Sequence, residues 1–330
     1  MIISVFIINY NTGPLLKRCV ESLLAAKPPH EIEIFIADND STDESFSIAQ
    51  SIASTSSSVP IYIKKYSYNA GFVKAINPLL KLARGDYFLV VHPDIVVSSE
   101  LFEEFIHFFN EHEQAGILGA NLVYPDGSYN PCEIYCPGLR QYIFRLLDRI
   151  LKNLRLFKPC LSEWDHKKNK QVECVWNACM IFRRQLYEEI GPFDNRYFVW
   201  VADQDFCMRA RIVGWRCYYL VYPHVIHYER QISALNDFSL TKDTAYKIDG
   251  WHSIEGIIKD RYRFIYKYYK SRLLLCAIKT LDIIQQLLTI GYIVRKRNAL
   301  DRRKYIRIWY KSICEIIFGI IYIERPRKLT

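Results

Sequence analysis

The sequence predicts an α/β protein with a mostly parallel central sheet flanked by helices, followed by a helical, basic and amphipathic C-terminal segment. Three observations predict it. Apolar runs alternate with helix-periodic segments over the first 125 residues, the pattern of strands joined by crossover helices. A chain of 330 residues that is 50% apolar and 24% charged can bury one large core, or one core with a smaller appendage. Charge is divided unevenly, since residues 255–330 hold 18 Lys+Arg against 6 Asp+Glu (net +12) and residues 1–254 hold 26 against 29 (net −3).

Ile2–Ile8 reads as a buried first strand, and Leu15, Leu16, Cys19, Val20, Leu23 and Leu24 mark one face of the helix after it. Ile32–Ala37 is the second strand, closing on the polar cluster Asp38-Asn39-Asp40-Ser41-Thr42-Asp43. Ser51–Ser58 reads as a surface connection to a third strand at Ile61–Lys65. Asn69-Ala70-Gly71-Phe72 opens a helix that runs to about Ala83, and Tyr87–Val91 is the fourth strand. Ser99 and Glu100 begin a helix with a wide apolar face of Leu101, Phe102, Phe105, Phe108 and Phe109. Residues 128–170 have no clear register beyond a basic helical piece near Arg140–Arg155 and a polar loop at Asp165–Lys170, and are expected to be an acceptor-side insertion. A short strand reaching Phe182, a helix over Arg184–Ile190, a helix around Ala202–Val213 and a strand at Cys217–Val221 follow.

From about Glu255 the chain reads as helical, aromatic and basic, with apolar stretches at Ile283–Val294 and Ile313–Ile323 separated by Arg295-Lys296-Arg297 and Arg302-Arg303-Lys304. No stretch reaches the roughly eighteen uninterrupted apolar residues of a spanning helix, so the tail suits helices lying in a membrane interface on anionic lipid, with a second packed helical layer as the plainer reading. The ten cysteines lack the spacings of a zinc site or a disulfide framework and read as reduced, mostly buried thiols. The N-terminal apolar run reads as a strand and not as a signal peptide.

The chemistry points to a strand-end carboxylate. Asp94 closes the run Tyr87-Phe88-Leu89-Val90-Val91-His92-Pro93-Asp94, at the edge where open α/β sheets bind ligands. Asp203-Gln204-Asp205 follows about a hundred residues later, with His227 close behind. No glycine-rich phosphate loop of standard spacing is present, so a hard divalent cation on Asp94 is the natural partner for a diphosphate.

Taken in order, Ile8-Asn9-Tyr10-Asn11, Ala37–Asp43, Asn69–Phe72, His92-Pro93-Asp94 and Asp203-Gln204-Asp205 resemble family 2 glycosyltransferases of the GT-A fold, most closely the rhamnosyltransferase-like bacterial branch that builds surface polysaccharides. The likeness covers roughly residues 1–230. It implies a catalytic domain at 1–254, with a donor half of about 1–125 and an acceptor half of about 126–254, and a tail at 255–330. It implies a nucleotide pocket of Tyr10, Asn11, Asp38, Asn39, Asn69 and Gly71, to which Lys74 adds charge. Asp94 then meets Mn²⁺ or Mg²⁺, with His227 and His92 as further ligands or as structural histidines. Asp203 matches the base, Asp205 stands in reserve, and Trp176, Asn177 and Trp200 face the acceptor. Two departures stand out: His92 replaces the usual first residue of the D-x-D signature, and Ala202 replaces the Glu expected before the base.

The implied activity is inverting transfer from a UDP- or dTDP-sugar to a polyprenyl-linked glycan, by a protein peripheral to the inner face of the cytoplasmic membrane, with oligomers allowed and no nucleic-acid partner. The rivals are a sugar nucleotidyltransferase and a non-catalytic binder that uses the basic tail.

Overall fold

A computed structural model describes residues 1–26, 30–56, 58–153, 164–228, 250–271, 273–284 and 316. The backbone divides into two compact units, Met1–Cys136 with Glu163–Ala245, and Pro137–Ser162 with Tyr246–Thr330.

The first unit carries the sheet. Its elements are β1 (Ile2–Asn9), α1 (Gly13–Ala25), β2 (Glu31–Asp38), α2 (Ser45–Thr55), β3 (Ile61–Lys65), α3 (Gly71–Leu80), β4 (Tyr87–Val91), β5 (Ile95–Val96), α4 (Leu101–Glu111) and β6 (Ala115–Val123), then β7 (Lys170–Val172), β8 (Cys179–Arg183), α6 (Arg184–Ile190), α7 (Ala202–Ile212) and β9 (Arg216–His227). The second unit supplies α5 (Leu139–Asn153) and α8 (Gly250–Tyr269).

Strands lie in the order β3-β2-β1-β4-β8-β6-β9-β5, with β7 also paired to β9. The first four are parallel, in line with the apolar runs that announced them. Beyond β4 the sheet is mixed: β8 runs antiparallel to both β4 and β6, while β6 and β9 are parallel. β4 and β6 are buried at every residue, as strands covered on both faces are. α1 starts on Pro14 and turns Leu15, Leu16, Cys19, Val20 and Leu23 into the core. The wide apolar face of α4 is buried as its sequence requires.

This topology gathers one edge. The C-terminal ends of β1, β2, β4 and β9 and the start of the antiparallel β8 all reach it, because Asn9 pairs with Asp38, Val91 with Cys179, and His227 with Ile95. The site residues therefore come from five strand ends and the start of α7.

In the second unit, Tyr142, Tyr262, Ile265, Leu275, Ile278 and Ile316 form a buried cluster. The Tyr262 hydroxyl donates to Asp282 at 2.8 Å. Most of the expected apolar stretches at 283–294 and 313–323, and both basic runs between them, lie outside the described residues. Among the described residues no helix is long and apolar enough to cross a membrane. Seven of the eight described free cysteines are buried and Cys276 is exposed.

Candidate active site

The loops after β1 and β2 are laced into one platform. Asn9 donates its side-chain amide to Asp38 (3.0 Å) and to Ser41 (3.1 Å), and the Ser41 N–H donates to the other Asp38 oxygen at 3.1 Å. The Asn11 N–H donates to the Ser41 hydroxyl, and its side-chain oxygen accepts from the Thr42 N–H at 2.7 Å. Asn11 and Asp40 both adopt left-handed backbone, which their short polar side chains tolerate by bonding locally. Asp38 is thus buried and held by its neighbours, with Tyr10 and Asn11 half-buried beside it.

Asn39 clasps the next loop. Its amide donates to the Gly71 carbonyl at 3.2 Å and its oxygen accepts from the Ala70 N–H at 3.3 Å, while Asn69 accepts from the Gly71 N–H at 3.0 Å. Gly71 has φ +76°, and a Cβ there would lie 2.5 Å from the Phe198 ring, so no other residue fits. Lys74 is exposed on the first turns of α3.

A compact group of three ligand-type side chains sits at the end of β4. His92, Asp94 and His227 offer donor atoms that all lie within 4.8 Å of one another. His227 Nε2 is 3.4 Å from one Asp94 oxygen, and His92 Nδ1 is 4.0 Å from the other. The two-residue β5 makes this possible, because its antiparallel pairing with β9 sets Ile95 opposite His227. The Tyr228 N–H donates to the Asp94 carbonyl at 2.9 Å and closes the corner. Burial, the largest influence on Asp94, raises its pKa, but the hydrogen bond from His227 and the charges of His227 and His92 outweigh it and hold the carboxyl below its usual value. A buried carboxylate kept ionised beside two imidazoles is a donor set that fits a divalent metal ion.

The outer nitrogens of both rings are engaged by asparagines. His92 Nε2 lies 3.1 Å from Asn177 Oδ1, and His227 Nδ1 faces the Asn130 amide at 2.8 Å. Asn130 escaped sequence reasoning: it lies in the unregistered 128–170 stretch and is held at the site by the bridge between Val123 and Tyr129 and by its own N–H, which donates to the Leu122 carbonyl at 2.9 Å.

The two acids of α7 separate. Asp205 is fully buried, accepting from the Tyr197 hydroxyl (3.2 Å) and from Arg209 Nε (3.1 Å), whose guanidinium also binds the carbonyls of Ile190 and Pro192. That network pins the loop before α7 to the helix. Asp203 instead accepts the Asn177 N–H at 3.2 Å and the Gln204 N–H at 2.8 Å. Burial pushes its carboxyl up from 3.8 to about 6, against the lowering effect of those two N–H donors. Asn177 therefore joins the His92 ring to Asp203, through its side chain on one side and its backbone on the other. Trp176 donates its N–H to the Tyr219 hydroxyl, and both Trp176 and Trp200 are half-buried.

The sequence profile of glycosyl transferase family 2 matches residues 4–191, more than half of the chain. The chain belongs to that family. Among curated relatives of this glycosyltransferase is an N-acetylglucosaminyl-diphospho-decaprenol L-rhamnosyltransferase of Mycobacterium tuberculosis, 25% identical over 69% of this chain and 76% of that one. An O-antigen biosynthesis protein of Myxococcus xanthus is 22% identical over 65% of this chain, which spans only 16% of that protein. A solved mannosyltransferase from Pyrobaculum calidifontis, in complex with GDP-Man and Mn²⁺, superposes with a TM-score of 0.57 at 12% identity, covering 98% of this chain and 88% of its own. The architecture is the GT-A fold expected from the ordered motifs.

Proposed function

We propose that this family 2 glycosyltransferase is an inverting, metal-dependent enzyme that moves a sugar from a nucleoside-diphosphate donor to a polyprenyl-linked saccharide in bacterial surface-polysaccharide assembly. The observation that carries the reading is one sheet edge on which a His92–Asp94–His227 group and the Asp203 carboxylate are joined through Asn177. The loops of Asn9–Asn11 and Asp38–Asp43, with Asn69 and Gly71, form the floor on which the nucleoside rests, and exposed Lys74 stands at its rim.

Asp94, with His227 and His92, would hold a Mn²⁺ or Mg²⁺ ion, which when bound would supply positive charge to the departing diphosphate. Asp203 takes the proton of the acceptor hydroxyl as that oxygen bonds the anomeric carbon and the bond to the diphosphate oxygen breaks, so that a nucleoside diphosphate leaves and the configuration inverts in a single displacement. With its pKa near 6, Asp203 is ionised at neutral pH yet more basic than an ordinary carboxylate. Asp205 serves as the structural anchor of α7. Trp176 and Trp200 are assigned to the acceptor side.

The lipid-linked acceptor is supported by the relative named for a decaprenyl-linked substrate and by the +12 charge of residues 255–330, which suits an anionic membrane surface. The test is turnover of a panel of UDP-, dTDP- and GDP-sugars on polyprenyl-diphosphate-linked saccharides, with and without Mn²⁺. Product of inverted anomeric configuration, lost on chelation, is expected. A product of retained configuration, or full turnover in EDTA, would reject the reading.

A further inference from the structure

The identity of the dication is written in the two imidazoles and in what orients them. With its carbonyl toward the ring, Asn177 accepts from His92 Nε2 across 3.1 Å, an arrangement in which the Nδ1 lone pair faces Asp94. His227 presents Nε2 to Asp94 and rests Nδ1 against the buried Asn130 amide at 2.8 Å. A side-chain amide offers either an N–H or, turned over, a carbonyl. Asn130 can therefore support His227 both when its Nε2 donates to the carboxylate and when that nitrogen gives its lone pair to a cation.

Building on the metal-dependent reading above, we propose that Asn177 and Asn130 are positioning residues that hold the His92 and His227 rings with one nitrogen of each turned toward Asp94, and that the resulting two-nitrogen, one-carboxylate set selects Mn²⁺ or another first-row transition dication over Mg²⁺. Mg²⁺ keeps its waters and favours oxygen ligands, whereas imidazole suits the transition ions. The His at position 92 also removes a negative charge that a hard ion would exploit. Asparagines behind ligating histidines act as such outer partners do elsewhere, by holding ring orientation and tautomer.

The experiment uses the full chain with the metal ions alone. Mn²⁺ binding is followed by electron paramagnetic resonance and calorimetry, Mg²⁺ by competition, and Co²⁺ by its visible absorption. Wild type is expected to bind Mn²⁺ and Co²⁺ at least about tenfold tighter than Mg²⁺, with a Co²⁺ spectrum of nitrogen ligation. Asn177→Ala and Asn130→Ala should each weaken Mn²⁺ binding by about 10–100-fold with the metal-free melting temperature little changed. His92→Asp, which does not depend on either asparagine, should bring the Mn²⁺ and Mg²⁺ affinities together. Equal affinity of the wild type for Mn²⁺ and Mg²⁺, or asparagine variants that bind Mn²⁺ as wild type does, would overturn the inference and leave metal dependence standing. No Mn²⁺ uptake by wild type, or full uptake by Asp94→Asn, would overturn the metal reading as well.

Discussion

Asp203 and Asp205 stand two residues apart at one helix start, yet they meet different surroundings. The Asp205 carboxylate accepts from Tyr197 and Arg209, whereas Asp203 accepts from the backbone N–H groups of Asn177 and Gln204 and has its pKa raised to about 6 by burial. The folded state therefore holds the Asp203 proton more tightly than the unfolded chain does, so this residue favours folding most below about pH 4. Its contribution declines as pH rises through about 6. Asp203→Asn should remove that decline and raise the melting temperature at pH 7–8, by up to roughly 3 kcal/mol in stability, with no gain at pH 4. The same substitution should cut kcat by about 10²–10⁴-fold, and wild-type kcat/KM should fall with one proton as pH drops through about 6. By contrast, Asp205→Ala strands the Arg209 guanidinium and should cost about 3–5 kcal/mol in urea unfolding, with a much smaller loss of turnover per folded molecule. Strand-end and helix-start acids were legible in the sequence because their positions in an α/β chain are few. The difference in their surroundings was not, since it depends on Tyr197 and Arg209 arriving through tertiary packing.

Among the elements, the four parallel strands were legible because each is a short, predominantly apolar run bounded by polar loops. β6 was not, for a physical reason: Ala115–Val123 holds two glycines, Gly116 and Gly119, and an asparagine, so its propensity is poor. Gly119 is there for packing, as a Cβ would lie 2.5 Å from Val175 and 2.6 Å from the Tyr219 ring. β5 is two residues long and carries no periodicity at all, yet it brings His227 to Asp94. The platform loop before α3 offers a test at this scale. Gly71→Ala places a Cβ against the Phe198 ring and carbonyl in a backbone region with φ +76°, and should destabilise the fold by about 2–4 kcal/mol. Because the Gly71 carbonyl and N–H are bonded to Asn39 and Asn69, the variant should raise the donor KM more than it lowers kcat, a split that steady-state kinetics reads directly.

For the whole molecule, the charge division of +12 against −3 supports the proposal that the tail meets anionic lipid, but cutting the chain at 255 is a poor test of it. Tyr142 of α5 packs in the same buried cluster as Tyr262, Ile265, Leu275 and Ile278, so truncation would strip the partners of α5 and expose its apolar side. Charge reversal at 295–297 leaves every apolar residue of that cluster in the chain and reverses the charge. Each basic residue near an anionic bilayer contributes about 1 kcal/mol, so Arg295→Glu, Lys296→Glu and Arg297→Glu together should weaken partition onto phosphatidylserine vesicles by at least about 10²-fold. Wild-type partition should weaken steeply between low and physiological salt, and the triple variant should show a shallower slope. Turnover of a short-chain, water-soluble acceptor should be unchanged, while turnover of the vesicle-borne polyprenyl acceptor should fall in step with partition. Vesicle binding that persists in the triple variant, and that is indifferent to salt, would place the attraction in apolar contacts instead of charge.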